Sequence, residues 1–184
     1  SGNVPGDSTG AAGQLYRRDP VVDGTEFRVN TSTSGVQRTS SVAADNAGDF
    51  VVAWQSRHSG RYHVYYQRYN ASGVAQGSET LANTTMTGNQ FFPSVAMDDA
   101  GDFVVSWTSD QTGNYDVYFQ RYNSSGVAQG SETRANTTTA NNQMASSVAL
   151  DSVGDFVITW SSFSQDAAGT YGIYFQRYNS AGTA

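Results

Sequence analysis

Three tryptophans, Trp54, Trp107 and Trp160, stand 53 residues apart. Gly24, Gly77 and Gly130 keep the same interval, and so do Asp45, Asp98 and Asp151, each of which opens an Asp-x-x-Gly-Asp segment. The run Gln-Arg-Tyr-Asn returns at Gln67, Gln120 and Gln176, and its last interval of 56 places three extra residues in the third copy. A fixed period of this length constrains a chain more than its composition does. Each copy must be one supersecondary unit that cannot bury its apolar face alone, so neighbouring copies must stack. The copies are 24–76, 77–129 and 130–184, the last one cut short, and 1–23 is a tail with a partial strand.

Each copy reads as four strands. The first is short and polar, as in Ser78–Asn83, and the second is Ser94–Met97. The third, Asp102–Trp107, is apolar on both faces, which suits a strand buried between layers. The fourth, Tyr115–Tyr122, alternates aromatic and polar residues like a half-covered strand. No window keeps a helical period. The Asp-x-x-Gly-Asp segments join strands two and three as tight hairpins. Gly supplies a positive φ there, and the leading Asp accepts from turn amides. The expectation is an all-β fold of β-propeller type, with four-stranded antiparallel blades and three repeats per chain.

Composition narrows the function classes. Sixteen acidic residues face ten basic ones, all ten of them Arg, for a net charge of −6. Nucleic acid and anionic membranes need clustered positive charge, so neither is an expected partner. No apolar stretch approaches the roughly 18 residues of a membrane span. There is no Cys, and so no disulfide or thiolate site. Charged residues are only 14% of the chain, against roughly 25% in a typical domain, and Ser, Thr, Asn and Gly replace them. This surface points to a secreted, extracellular or cell-surface location.

The segments SVAMDDAGDFVVSW and YDVYFQRYNSSGVAQGSE resemble the tandem blade-like repeats of large secreted bacterial proteins, which often accompany RTX-type calcium-binding regions and adhesins. The resemblance covers 24–184. It implies a propeller fold, an extracellular location and a structural or adhesive role, and it identifies no enzyme. The Gly-Gly-x-Gly-x-Asp nonapeptide of RTX proteins is itself absent.

Comparison of the copies locates a variable rim. The connections between strands two and three, and between strands four and one, barely change. The other two change freely, 57–61, 110–114 and 163–170 in one series and 35–38, 88–92 and 141–144 in the other. In an antiparallel four-stranded sheet these variable loops share one end, where binding most often resides. Phe91, Phe92, Tyr115 and Phe163 are the candidate ligand-binding residues, with surface glycans as the candidate ligand. Asp45, Asp49, Asp98, Asp102, Asp151 and Asp155 are candidate calcium ligands, although calcium takes about 6–8 oxygens and a turn role is the simpler reading. No other cofactor is expected. The tryptophans are expected in the core, and His58 and His63 in solvated loops.

The ends of the chain complement each other. An outer-type strand at Thr25–Asn30 has no preceding blade, and the last copy stops before its own outer strand. Arg68 and Glu79, like Arg121 and Glu132, sit eleven residues apart across one hairpin. Glu26 and Arg177 lack such partners within the chain, which suggests that they pair between copies through strand exchange. The leading expectation is therefore a non-enzymatic structural or adhesive module, not an enzyme, that self-associates head to tail into a ring or filament. A lectin using the variable rim and a fragment of a larger propeller enzyme are the alternatives.

Overall fold

Each Asp-x-x-Gly-Asp segment closes a hairpin by the same bonds. The amides of Ala47 and Asp49 donate to Asp45 Oδ1 at 2.9 and 3.0 Å, and Gly48 takes the positive φ of 88°. The copies at Asp98 and Asp151 repeat this geometry. Strand propensity on either side then sets the pairing. The computed structural model describes residues 26–58 and 60–184, and among them it contains eleven strands and no helix.

The strands form three antiparallel sheets. The first orders β1 (Gln37–Ala44), β2 (Phe50–His58), β3 (Arg61–Tyr69) and β4 (Ala75–Leu81) side by side. The second repeats this with β5 (Gln90–Met97), β6 (Phe103–Ser109), β7 (Asp116–Tyr122) and β8 (Ala128–Arg134). The third has only β9 (Gln143–Leu150), β10 (Phe156–Phe163) and β11 (Tyr171–Tyr178). The short polar strand of each sequence repeat pairs backwards, Tyr65 opposite Leu81 and Tyr118 opposite Arg134, so a sheet takes its last strand from the following repeat.

The expected strand at Thr25–Asn30 is a point of difference. Residues 26–30 join no sheet, and Thr25 with the tail 1–23 lies outside the described residues. The segment still occupies the linker position. Thr31 donates from its amide and hydroxyl to Glu79, as Thr84 does to Glu132 one repeat later.

Two apolar layers join the sheets. Val51, Ala53, Val64 and Tyr66 of the first sheet meet Val95, Phe103, Val105, Trp107 and Tyr122 of the second. Val104, Val117 and Phe119 of the second meet Val148, Phe156, Ile158, Trp160 and Tyr178 of the third. The middle sheet is thus buried on both faces, and every residue of β6 is buried. Polar bonds repeat across both layers, Val95 N to Ser41 Oγ and Val148 N to Ser94 Oγ, each 3.2 Å.

The tryptophans are buried as the sequence predicts, but they are not equivalent. Trp107 Nε1 donates to Gln90 Oε1 at 2.9 Å and Trp54 Nε1 to Gln37 Oε1 at 3.2 Å, whereas the buried Trp160 Nε1 has no hydrogen-bond partner among the described residues. The matching Gln143 Oε1 accepts from Ser162 instead. Trp107→Phe orphans a buried acceptor and Trp160→Phe deletes an orphaned donor. The first should therefore cost about 1–3 kcal/mol more than the second in urea unfolding. Equal losses would contradict this bonding.

Candidate functional site

Antiparallel order places the variable loops together. The hairpin turns 45–49 and 70–74 share one end, where Asp49 Oδ1 accepts from Ala71 N. The β2–β3 loop and the β4–β5 connection share the other, where Tyr62 N donates to Asn89 Oδ1 at 3.2 Å.

At this second end the inner strands carry a bulge. The β1–β2 register shifts between Arg38 and Ser41, the β5–β6 register between Phe91 and Ser94, and the β9–β10 register at the matching place. Thr39, Phe92 and Ala145 occupy the bulge with φ of 57°, 49° and 56°. A non-glycine residue in this region costs on the order of 1–3 kcal/mol. Bulges re-aim side chains, and three copies of the same strained residue mark the spot where they are re-aimed. The backbone is pinned from the next sheet, because Phe92 N donates to Gln55 Oε1 and Ala145 N to Thr108 Oγ1.

Between the first and second sheets the bulge gathers an aromatic cluster. The Phe91 ring lies 5.8 Å from Tyr62, 5.9 Å from Tyr115 and 5.9 Å from Phe92. The Arg38 guanidinium sits 4.8 Å above Tyr62 and that of Arg57 5.8 Å from it. Phe92, Arg38 and Arg57 are exposed while Tyr62, Phe91 and Tyr115 are half-buried. The result is an apolar platform with guanidinium donors beside it, a layout suited to a neutral polar ligand with an apolar face. Three predicted residues, Phe91, Phe92 and Tyr115, are thus brought together. Phe163 is separate, packing on Tyr171 at 5.0 Å in the third sheet. Tyr62 was findable, since the 53-residue interval matches it to Tyr115. Arg38 and Arg57 gave no signal, because their partners in the other copies are not basic.

The carboxylates at this end are held by the loops. Asp110 accepts from the amide and side chain of Asn89, Asp116 from Asn136 at 2.6 Å and Thr112 at 2.7 Å, and Asp166 from the Tyr174 hydroxyl. That last bond pushes the Tyr174 phenol above its usual range. His63 departs from the solvated loop the sequence suggests. It is buried on β3, matches Asp116, and meets Asn83 at 3.1 Å as Asp116 meets Asn136. A side chain that holds the loop-anchoring Asn must point inward. Nothing is described of the His58 side chain.

The six candidate calcium ligands sit at the opposite end and face backbone amides. Asp45, Asp98 and Asp151 each bind two turn amides, while Asp49, Asp102 and Asp155 reach Ala71, Ser124 and Ser180. Burial pushes the Asp98 carboxyl up, partly offset by the amides of Asp102 and Ala100. Among the described residues no group of three or more His, Asp or Glu could hold a metal. The expected Arg–Glu hairpin pairs take other partners. Arg68 lies opposite Gln76 and donates across to Ser124 O, and Arg121 donates to Ser180 O. Of the two assembly candidates, Glu26 and Arg177 are both exposed. No helix among the described residues is long and apolar enough to cross a membrane.

No family model and no curated protein sequence matches the chain. Solved structures share its fold. An endo-arabinase from Bacteroides thetaiotaomicron superposes with a TM-score of 0.51 at 16% identity, over 84% of this chain and 60% of that one. A protein of unknown function from Dyadobacter fermentans gives 0.56 at 10% identity, over 79% and 52%. A "putative glycoside hydrolase" from Bacteroides ovatus gives 0.52 at 14% identity, over 81% and 48%. The chain thus spans about half the length of the structures it matches. These likenesses overturn the expectation that the chain is not an enzyme, because the arrangement of sheets is one that it shares with an endo-arabinase.

Proposed function

We propose that this chain forms three blades of a larger β-propeller enzyme acting on a polysaccharide, and that its rim of Arg38, Tyr62, Phe91, Phe92 and Tyr115 holds the glycan. The observation that carries the reading is the convergence of these side chains on a strained bulge at the variable end. Sugar rings have apolar faces that lie on aromatic rings, and their hydroxyls accept from guanidinium donors. The fold neighbours support the substrate class, one being named an endo-arabinase. Asp110, Asp116 and Asp166 are committed to loop bonds. This leaves the described part of the rim to the binding of the glycan.

Native gels cast with arabinan, xylan or cellulose derivatives test the reading. The full chain should be retarded by at least one of them. Arg38→Ala and Phe92→Ala remove exposed groups and should weaken retardation about tenfold or more, with the thermal midpoint nearly unchanged. Free migration in every polysaccharide would refute it.

A further inference from the structure

The two sheet interfaces are copies of one another, and the outer faces of the first and third sheets carry the two halves of a third copy. Where the second sheet covers the first, and the third covers the second, the covered positions are shut off from solvent. Val64 and Val117 are both 0% exposed, and Tyr66 and Phe119 both 2%. Their equivalents in the third sheet, Ile173 and Phe175, are 76% and 65% exposed. The complementary face behaves the same way. Val95 and Val148 are 5% and 7% exposed, but Val42 at the matching place in the first sheet is 64% exposed. Apolar side chains gathered on one exposed sheet face mark a site of interaction.

The polar groups match as well. Ser41 and Ser94 accept from Val95 N and Val148 N, and Ser147 stands next in the series, facing no such donor among the described residues. Gln55 and Thr108 accept from Phe92 N and Ala145 N, and Ser161 takes that place in the third sheet. Arg68 and Arg121 donate to Ser124 O and Ser180 O, and Arg177 is the third of the set. On the first sheet the amides of Val42 and Thr39 and the carbonyl of Ala71 hold the reciprocal positions. Not every bond is reproduced. Phe175, like Phe119, has no hydroxyl to match the one that Tyr66 donates to Gly126 O. Val36 stands where Asn89 and Asn142 accept from Tyr62 N and Tyr115 N.

We infer that the uncovered face of the third sheet takes the first sheet of a second copy of this chain, by the same interface that joins the sheets within one copy. Ser147 Oγ then accepts from Val42 N of the other molecule, Phe175 lies on the Phe50–Tyr69 stack, and Arg177 reaches the Ala71 carbonyl. The contact is heterologous, so two copies close a ring of six sheets or many extend a filament. The inference rests on repeat geometry alone and stands whether or not the rim binds glycan.

The chain contains no Cys, which permits a direct test on these 184 residues. Val42→Cys and Ser147→Cys are made as separate proteins. On mild oxidation their mixture should yield a disulfide-linked pair of twice the chain mass, and neither variant alone should. Light scattering of the unmodified chain should give at least twice 19.7 kDa. Ile173→Arg, which alters an exposed residue, should return a folded species of single-chain mass. A monomer at every concentration up to high micromolar would overturn the inference, and that result would assign the face to further sheets of a longer polypeptide. Disulfides forming equally within each single variant would overturn it too, since they would signify a symmetric contact.

Discussion

Trp107→Ala should remove about 3–5 kcal/mol of stability, the range for losing a buried large aromatic side chain. Trp107 is fully buried in the layer between the first and second sheets, among Val51, Val64, Val105 and Tyr118. Truncation opens a void bounded by strand backbone on both sides, where collapse is difficult. It also strands Gln90 Oε1, a fully buried acceptor of the indole N–H. Two charges on stability then act together, the cavity and the orphaned acceptor. A domain of this size holds only about 5–15 kcal/mol in total, so the variant should unfold at far lower urea or be recovered largely unfolded. The middle sheet alone has a neighbour on both faces, so its loss should uncouple the outer two. A loss below about 1.5 kcal/mol, smaller than typical for such truncations, would mean that Trp107 does not fill this layer.

The sequence carried the strands and turns because their causes are local. Two-sided apolar runs such as Phe103–Trp107 belong between layers, and Asp98 with Gly101 forms a turn in any context. The even interval also revealed which loops vary and so which end bears the rim. What stayed hidden depends on tertiary neighbours. Arg68 and Glu79 lie close in sequence across a hairpin, yet a register shift between Tyr66 and Arg68 places Gln76 opposite the arginine. The guanidinium then reaches the next sheet, a contact of residues 56 apart. His63 looked like a loop residue, but its role is to receive Asn83, a bond of 20 residues' separation. The aromatic rim was readable as residues and not as a cluster, since only the bulge brings Phe91 between two tyrosines of different sheets.

Gly88→Ala should be a strongly destabilising small substitution, and its reason lies in how the copies differ. Gly88 has a φ of 72°, and a Cβ there would stand 2.4 Å from Asp110 Oδ1 and 2.8 Å from the backbone of Gln111. Gly35, its counterpart in the first sheet, would meet the Arg57 carbonyl at 2.0 Å. The third counterpart is Asn141, which keeps a φ of 64° with a full side chain. The loop it faces, 163–170, is three residues longer than its counterparts and turns at Ser164 with a φ of 57°. The glycine is therefore required by the short loop as well as by its φ. Left-handed strain costs on the order of 1–3 kcal/mol, and forcing backbone apart adds about 1–3 kcal/mol more. Gly113 also has a positive φ, of 101°, but nothing lies within 4 Å of its Cβ position, so Gly113→Ala should show the strain alone. Paired urea titrations of the two variants separate the contributions. If Gly88→Ala were no worse than Gly113→Ala, the close approach of the β4–β5 connection to the β6–β7 loop would be wrong, and with it the geometry that holds the rim.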